Sequence, residues 1–259
     1  MADARRCVYL DDEFDPRNPT LSGLLALGLT DDAEHPAEYY AINADADLDA
    51  LVDHPFILDH VLPYLPVEVE RDVDGTPVRI RWDEHHPDYA RVLPVSQIAD
   101  DIAAYFPGED EPELLARYGK DDLAYLHRLF GNDWGTMPRG VPRIFTDLEV
   151  LRRQLGAPQP PVQLADEHHA LADARFNRDF HERLLRFQEM QRIGVGELAQ
   201  QLYAAFVVGA GKRPAQPARP AGQPRPAWSA LTETQRHHHE RVAQKLLAQF
   251  DVRRPQGSR

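Results

Sequence analysis

Hydrophobic positions divide the first half of the chain into short strands. Arg6 to Phe14 (RCVYLDDEF) reads as a strand whose apolar residues Val8, Tyr9 and Leu10 give way to acids at its end. Thr20 to Leu29 is almost continuously apolar, as expected of a central strand covered on both faces, and Glu38 to Ile42 supplies a third. Short polar connections make an antiparallel meander of these three. Alternating Val, Ile and Arg residues around Asp74-Gly75 then predict a hairpin insertion at about 68–93. Ser96 reads as the cap of a helix with Ile98, Ile102, Tyr105 and Phe106 on its apolar side, PELLARYG as a fourth strand, and Asp122 as the opening of the helix DLAYLHRLFG. After a Pro-rich connection comes the helix TDLEVLRRQLG, and a long amphipathic helix begins near His168 with Phe176, Phe180, Leu184 and Phe187 on one stripe. The pattern predicts an α/β fold: a mixed central sheet, antiparallel meander plus parallel strands, flanked by helices and followed by a helical C-terminal extension.

Composition changes this picture mainly at the C-terminus. A domain over 1–190 is followed by a helical extension over 191–209, a Pro/Ala/Arg-rich linker over 210–228 and a basic helix and tail over 229–259. The net charge is −13, yet residues 210–259 carry ten Lys/Arg against three Asp/Glu, which leaves 19 against 39 for residues 1–209. An acidic body that binds cations, joined to a basic tail, is compatible with a nucleic-acid substrate. The longest strongly apolar stretch, Leu21 to Leu29, is about half of the ~18 residues a spanning helix needs, and the N-terminus has no apolar signal region, so no membrane is expected. Cys7 is the single cysteine, which excludes an intrachain disulfide and fits a reducing, cytoplasmic setting.

The candidate chemistry rests on acids at element boundaries. Residues two apart on a strand share a face, so Asp11 and Glu13 point together and Asp12 away from them. Two carboxylates at the end of a buried strand call for a counter-ion, and a divalent metal is the natural one. Asp122 is a third candidate, with Asp121 its rival and helix capping the ordinary role for either. His168 and Asp173 lie five apart where the long helix begins, a spacing that suits a histidine in the lead-in and an aspartate on the first turns. A histidine there can serve as general base toward water, and His169 competes for that role.

Together these positions resemble the DEDDh family of 3′–5′ exonucleases, which have an RNase H-like fold. The matching residues are Asp11 and Glu13 in YLDDEF, Asp122 in YGKDDLAYL, and His168 with Asp173 in HHALADAR, in the family's order and with its H-x4-D spacing. More narrowly, YGKDDLAYLHRLFG through WGTMPRGVPRIFTDL to HHALADAR is similar to a compact actinobacterial exoribonuclease group described as polyadenylate-specific. The resemblance implies two Mg²⁺ or Mn²⁺ ions held by Asp11, Glu13, Asp122 and Asp173, with His168 as base. It also implies a single-stranded 3′ end as substrate, RNA favoured over DNA, and nucleoside 5′-monophosphates as products. Phe14 is placed to contact the terminal nucleotide. Asp12 departs from the small residue usual between the two carboxylates.

Two other readings stand beside this one: a DNA-directed exonuclease on the same scaffold, and a catalytically silent nucleic-acid-binding module, which would be expected to lack a ligand. The basic tail is expected either to tether RNA through phosphate contacts or, through its final helix with Leu231, Val242, Leu246, Leu247 and Phe250, to dock on a partner, a homodimer being one form. The triplet His237-His238-His239 reads as a solvated face, because adjacent helical residues point apart.

Overall fold

The computed structural model describes residues 5–108, 112–163, 165–209 and 227–250. Its residues divide into two compact units, Met1–Leu184 and Leu185–Arg259.

The first unit is organised by a six-stranded sheet. Strand β1 (Cys7–Phe14) pairs antiparallel with β2 (Leu24–Asp31), and β2 pairs antiparallel with β3 (Tyr39–Asn43). The hairpin β4 (Val67–Arg71) and β5 (Pro77–Trp82) forms its own two-stranded sheet. The main sheet is completed by β6 (Val92–Leu93), β7 (Glu113–Ala116) and β8 (Thr146–Asp147), in the order β6-β3-β2-β1-β7-β8. β7 lies parallel to β1, β8 parallel to β7, and β6 parallel to β3. A three-strand meander continued by parallel strands on the β1 side is the RNase H-like arrangement, here with one further short strand beside β3.

Alternation along the strands assigns side chains to two cores. Val8, Leu10, Leu27 and Leu29 pack with Ile98 and Ile102 of α1 (Val95–Tyr105) and with Tyr125 and Leu126 of α2 (Lys120–Arg128). On the opposite face, Tyr9 and Leu115 meet Leu148 of α3 (Leu148–Gln154) and Phe180 and Leu184 of α4 (Ala170–Gly209). Leu25, Tyr40 and Ile42 on that face meet Ile57, Val61 and Ala170.

Several boundaries differ from the sequence reading. Thr20–Leu29 does not begin as a strand: Leu21–Gly23 is a 3₁₀ turn, and all eight residues of the strand that follows are buried. The hairpin is narrower than 68–93, because Val92 and Leu93 pair with Ile42 and Asn43 in the main sheet. Ser96 is no cap; α1 starts at Val95 after Pro94, whose fixed φ suits a helix entry. Asp122 does not open α2 but occupies its third position, behind Gly119 and Lys120.

In the second unit, α4 continues to Gly209, and a 3₁₀ turn at Trp228–Ala230 precedes α5 (Glu233–Phe250). Tyr203 packs against Trp228 at 5.9 Å and His239 at 4.9 Å between ring centroids. His237 instead approaches Glu240; His237 and His238 are exposed, but His239 is partly buried on these rings, so the solvated face expected of the triplet does not extend to it. Residues 210–226 of the linker lie outside the described residues, as do residues 251–259 of the tail and the side chains of Leu246, Leu247 and Phe250. Among the described residues no helix is long and apolar enough to cross a membrane.

Candidate active site

β1 carries Asp11 and Glu13 on the face covered by α4 and Asp12 on the face covered by α1 and α2. Opposite Asp11 stands Gly28 of β2. A Cβ on Gly28 would lie 2.4 Å from the carbonyl of Ala170 and the amide of Leu171. The missing side chain therefore lets the first turn of α4 settle directly on the sheet, and that contact brings Asp173 to the acids of β1. One turn beyond Asp173, the buried Asn177 amide donates to the Leu10 carbonyl at 3.1 Å. The β1–β7 ladder reaches only to Tyr9, so Asn177 takes over where strand pairing stops.

Asp122 reaches β1 from the other side. Its Oδ1 accepts the backbone N–H of Asp12 at 2.8 Å, so the carboxylate is tied to the strand between the two residues whose side chains point away. α2 holds this position through Tyr125, buried against the sheet, whose hydroxyl donates to the Asn18 carbonyl at 2.6 Å.

His168 has φ of +71°, an unusual conformation for a residue with a Cβ. It turns the backbone so that the His168 N–H donates to Asp173 Oδ2 at 2.8 Å, while the Gln163 amide donates to Oδ1. One ligand atom from each of Glu13, His168 and Asp173 falls within 4.8 Å of the other two. The His168 ring lies 4.9 Å from Phe56 and 5.7 Å from His60. These two come from the segment around the π-helical turn Ile57–Val61. The rival His169 packs elsewhere: its ring stacks on Tyr40 at 4.5 Å, and Nδ1 accepts the Ala172 N–H.

The electrostatics are those of anions held together against water. Burial, then the neighbouring Asp122, Asp173, Glu13 and Asp12, push Asp11 well above the usual carboxylate range. Burial followed by Asp173 and Asp122 raises Glu13 to about 8. Burial also pushes Asp122 up to about 7, against the opposing hydrogen bond from Asp12. Asp173 is raised by burial and drawn back by its bonds to Gln163 and His168. No arginine or lysine stands among the main influences on any of the four. Asp12 is raised by burial, Asp122 and Glu13, and neither of its carboxylate oxygens has a hydrogen-bond partner among the described residues.

The structure thus brings Asp11, Glu13, Asp122, His168 and Asp173 to one end of the sheet. Phe14 sits at the rim, partly exposed, its ring 5.1 Å from Tyr125. A register irregularity between Glu13 and Phe14 marks the end of regular pairing. Sequence reasoning missed Gly28, Gln163, Asn177, Phe56 and His60. The glycine inside the apolar run LLALGLTD was a signal for a close backbone approach; the others carry none in a single sequence.

An RNase H-like sheet with four carboxylates and a histidine at this end defines a DEDDh-type 3′–5′ exonuclease. No family model matches the chain. Two sequence relatives, named as 3′–5′ exoribonucleases and coming from two strains of Mycobacterium tuberculosis, are each 30% identical over 169 residues, covering 64% of this chain and 86% of theirs. A solved product-bound structure of exonuclease I gives a TM-score of 0.42 at 13% identity, over 78% of this chain and 48% of that one. The chain belongs to the family of the mycobacterial 3′–5′ exoribonucleases.

Proposed function

We propose that the protein hydrolyses single-stranded RNA from its 3′ end, releasing nucleoside 5′-monophosphates, with two divalent cations held by Asp11, Glu13, Asp122 and Asp173. The observation that carries this reading is the group of four carboxylates, drawn from three separate elements, in which Asp122 and Asp173 raise the proton affinity of Asp11 and Glu13 and no arginine or lysine stands among the main influences. Such a group fits Mg²⁺ or Mn²⁺, hard cations that prefer carboxylate oxygen, and excludes a thiolate-type metal site. When bound, the cations supply charge to the attacking and leaving oxygens of the phosphodiester. The name of the mycobacterial relatives supports RNA as the substrate.

The protein's own groups do the rest. His168 acts as general base, taking the proton of the attacking water at a ring nitrogen. Gln163 and the His168 amide fix the carboxylate plane of Asp173 and leave its remaining lone pairs for the cation. The Asp12 amide does the same for Asp122. Phe14 on one side and Phe56 with His60 on the other offer ring faces for the terminal nucleotide, where stacking seats a base without reading its sequence.

The test is hydrolysis of 3′-extended single-stranded RNA and matched DNA with Mg²⁺, Mn²⁺ or EDTA, resolved at single-nucleotide steps. The reading expects a metal-dependent ladder shrinking from the 3′ end, faster on RNA. Asp11→Asn and Asp173→Asn should each abolish it while the circular dichroism stays unchanged. Turnover retained in both variants would refute the site, and faster loss of DNA would reassign the substrate.

A further inference from the structure

We propose that the surface beside Phe14 formed by Arg128 and Trp134 is the track for the single-stranded RNA immediately upstream of the nucleotide being removed. The inference rests on the proposed reaction and concerns a surface outside the carboxylate cluster. An acidic enzyme must give a polyanion somewhere to lie. Residues 1–184 carry 17 Lys/Arg against 37 Asp/Glu, yet residues 117–143 carry five against three, and one of those three is Asp122. The stretch contains α2, whose first turn carries Asp122, and the loop that follows it; Arg117 in it lies over Phe176 and Phe180 and Lys120 pairs with Asp121, so Arg128 is the cation that matters here.

A row of stacked groups marks the direction. Phe14, next to Glu13, meets the Tyr125 ring at 5.1 Å, and the Arg128 guanidinium lies 4.7 Å from the centroid of the same Tyr125 ring. Arg128 is six residues beyond Asp122 in α2, hence about 9 Å farther along the helix axis. It has no carboxylate partner among the described residues, so its charge is available to a phosphate. The adjacent His127 and Trp134 rings stand nearly perpendicular, 6.4 Å apart between centroids.

Trp134 is 57% exposed, and the loop that carries it is firmly held. Gly131 and Asn132 turn the chain with φ of +74° and +57°. Asp133 Oδ1 accepts the Gly135 N–H, its carbonyl accepts those of Thr136 and Met137, and His127 Nε2 lies 3.0 Å from the Pro142 carbonyl. Met137 and Val141 of the same loop are buried in the core. An indole held outward by an anchored loop against His127, with Arg128 the next residue along α2 and without a carboxylate partner among the described residues, has the composition of a base-stacking platform with a phosphate contact.

The test compares diadenylate, which fills little beyond the cleavage site, with an oligoadenylate of about ten nucleotides. Trp134→Ala should lower the ratio of kcat/KM for the long over the short substrate by about 5- to 100-fold. Trp134→Phe should restore most of that ratio. Arg128→Gln should reduce the slope of log affinity against log salt by about 1. Binding of the oligoadenylate in EDTA, followed by fluorescence anisotropy, reads the same surface without catalysis. A wild type that binds through Trp134 yet cleaves neither substrate would defeat the proposed reaction and leave the track standing. A ratio and an EDTA affinity unchanged in Trp134→Ala would overturn the track, as would dissociation of an oligomer by that variant without loss of RNA binding, which would make the surface a contact between copies.

Discussion

Replacing Glu13 by Gln should stabilise the metal-free protein, although it removes a proposed metal ligand. In the folded state Glu13 binds its proton up to about pH 8, whereas its ordinary value is 4.5. Between those values the native state holds a proton that the unfolded chain has released. Stability therefore falls as pH rises through this window, and the loss is complete above pH 8. Each tenfold difference in proton affinity is worth about 1.4 kcal/mol, so the full penalty is about 5 kcal/mol as an upper limit. Protonation of neighbouring carboxyls relieves part of it, and about 2–5 kcal/mol is the expected gain for Glu13→Gln at pH 8. With about 2–4 °C per kcal/mol for a domain of this size, the apo variant should melt about 5–15 °C above the apo wild type. At pH 5 the two should nearly coincide, because Glu13 is then protonated in the native state. Thermal unfolding in EDTA at both pH values measures this directly, and Mg²⁺ should then raise the wild type more than the variant. Equal apo melting temperatures at pH 8, or the same difference at pH 5, would show that Glu13 is not strained by its neighbours and would remove the physical argument for a cation.

Asp12→Val should add about 1–3 kcal/mol to stability in urea unfolding, since it removes two buried oxygens without partners and keeps the backbone N–H that holds Asp122. Asn177→Ala should cost about 1–3 kcal/mol by leaving the Leu10 carbonyl unsatisfied; an unchanged denaturation midpoint would show that water replaces the amide. His168→Gln should lower kcat by about 10²–10⁴ with little change in KM, as expected for loss of a base that acts mainly in the transition state.

The parts of this protein that were legible in its sequence are those whose chemistry demands a residue type. Period-two alternation alone places Asp11 and Glu13 together and Asp12 opposite, because strand geometry allows nothing else. The meander and the start of the long helix follow from equally local rules. The two-residue strands Val92–Leu93 and Thr146–Asp147 could not be read, since each is defined by a parallel neighbour distant in sequence and not by its own pattern. The cap expected of Ser96 and the helix start expected of Asp122 failed for a related reason. Pro94 and Gly119 already supply the turn that each helix needs, and Asp122 is then spent on the Asp12 amide. The cluster itself sharpens the point. Four mutually repelling carboxylates cannot be what assembles the site in the absence of metal, so neutral contacts must do it. These are the bare face of Gly28 under α4, the amide of Asn177 on Leu10, the amide of Gln163 on Asp173 and the N–H of Asp12 on Asp122. None of them is an unusual residue, which is why a search for charged constellations finds the ligands and overlooks the scaffold that opposes their repulsion.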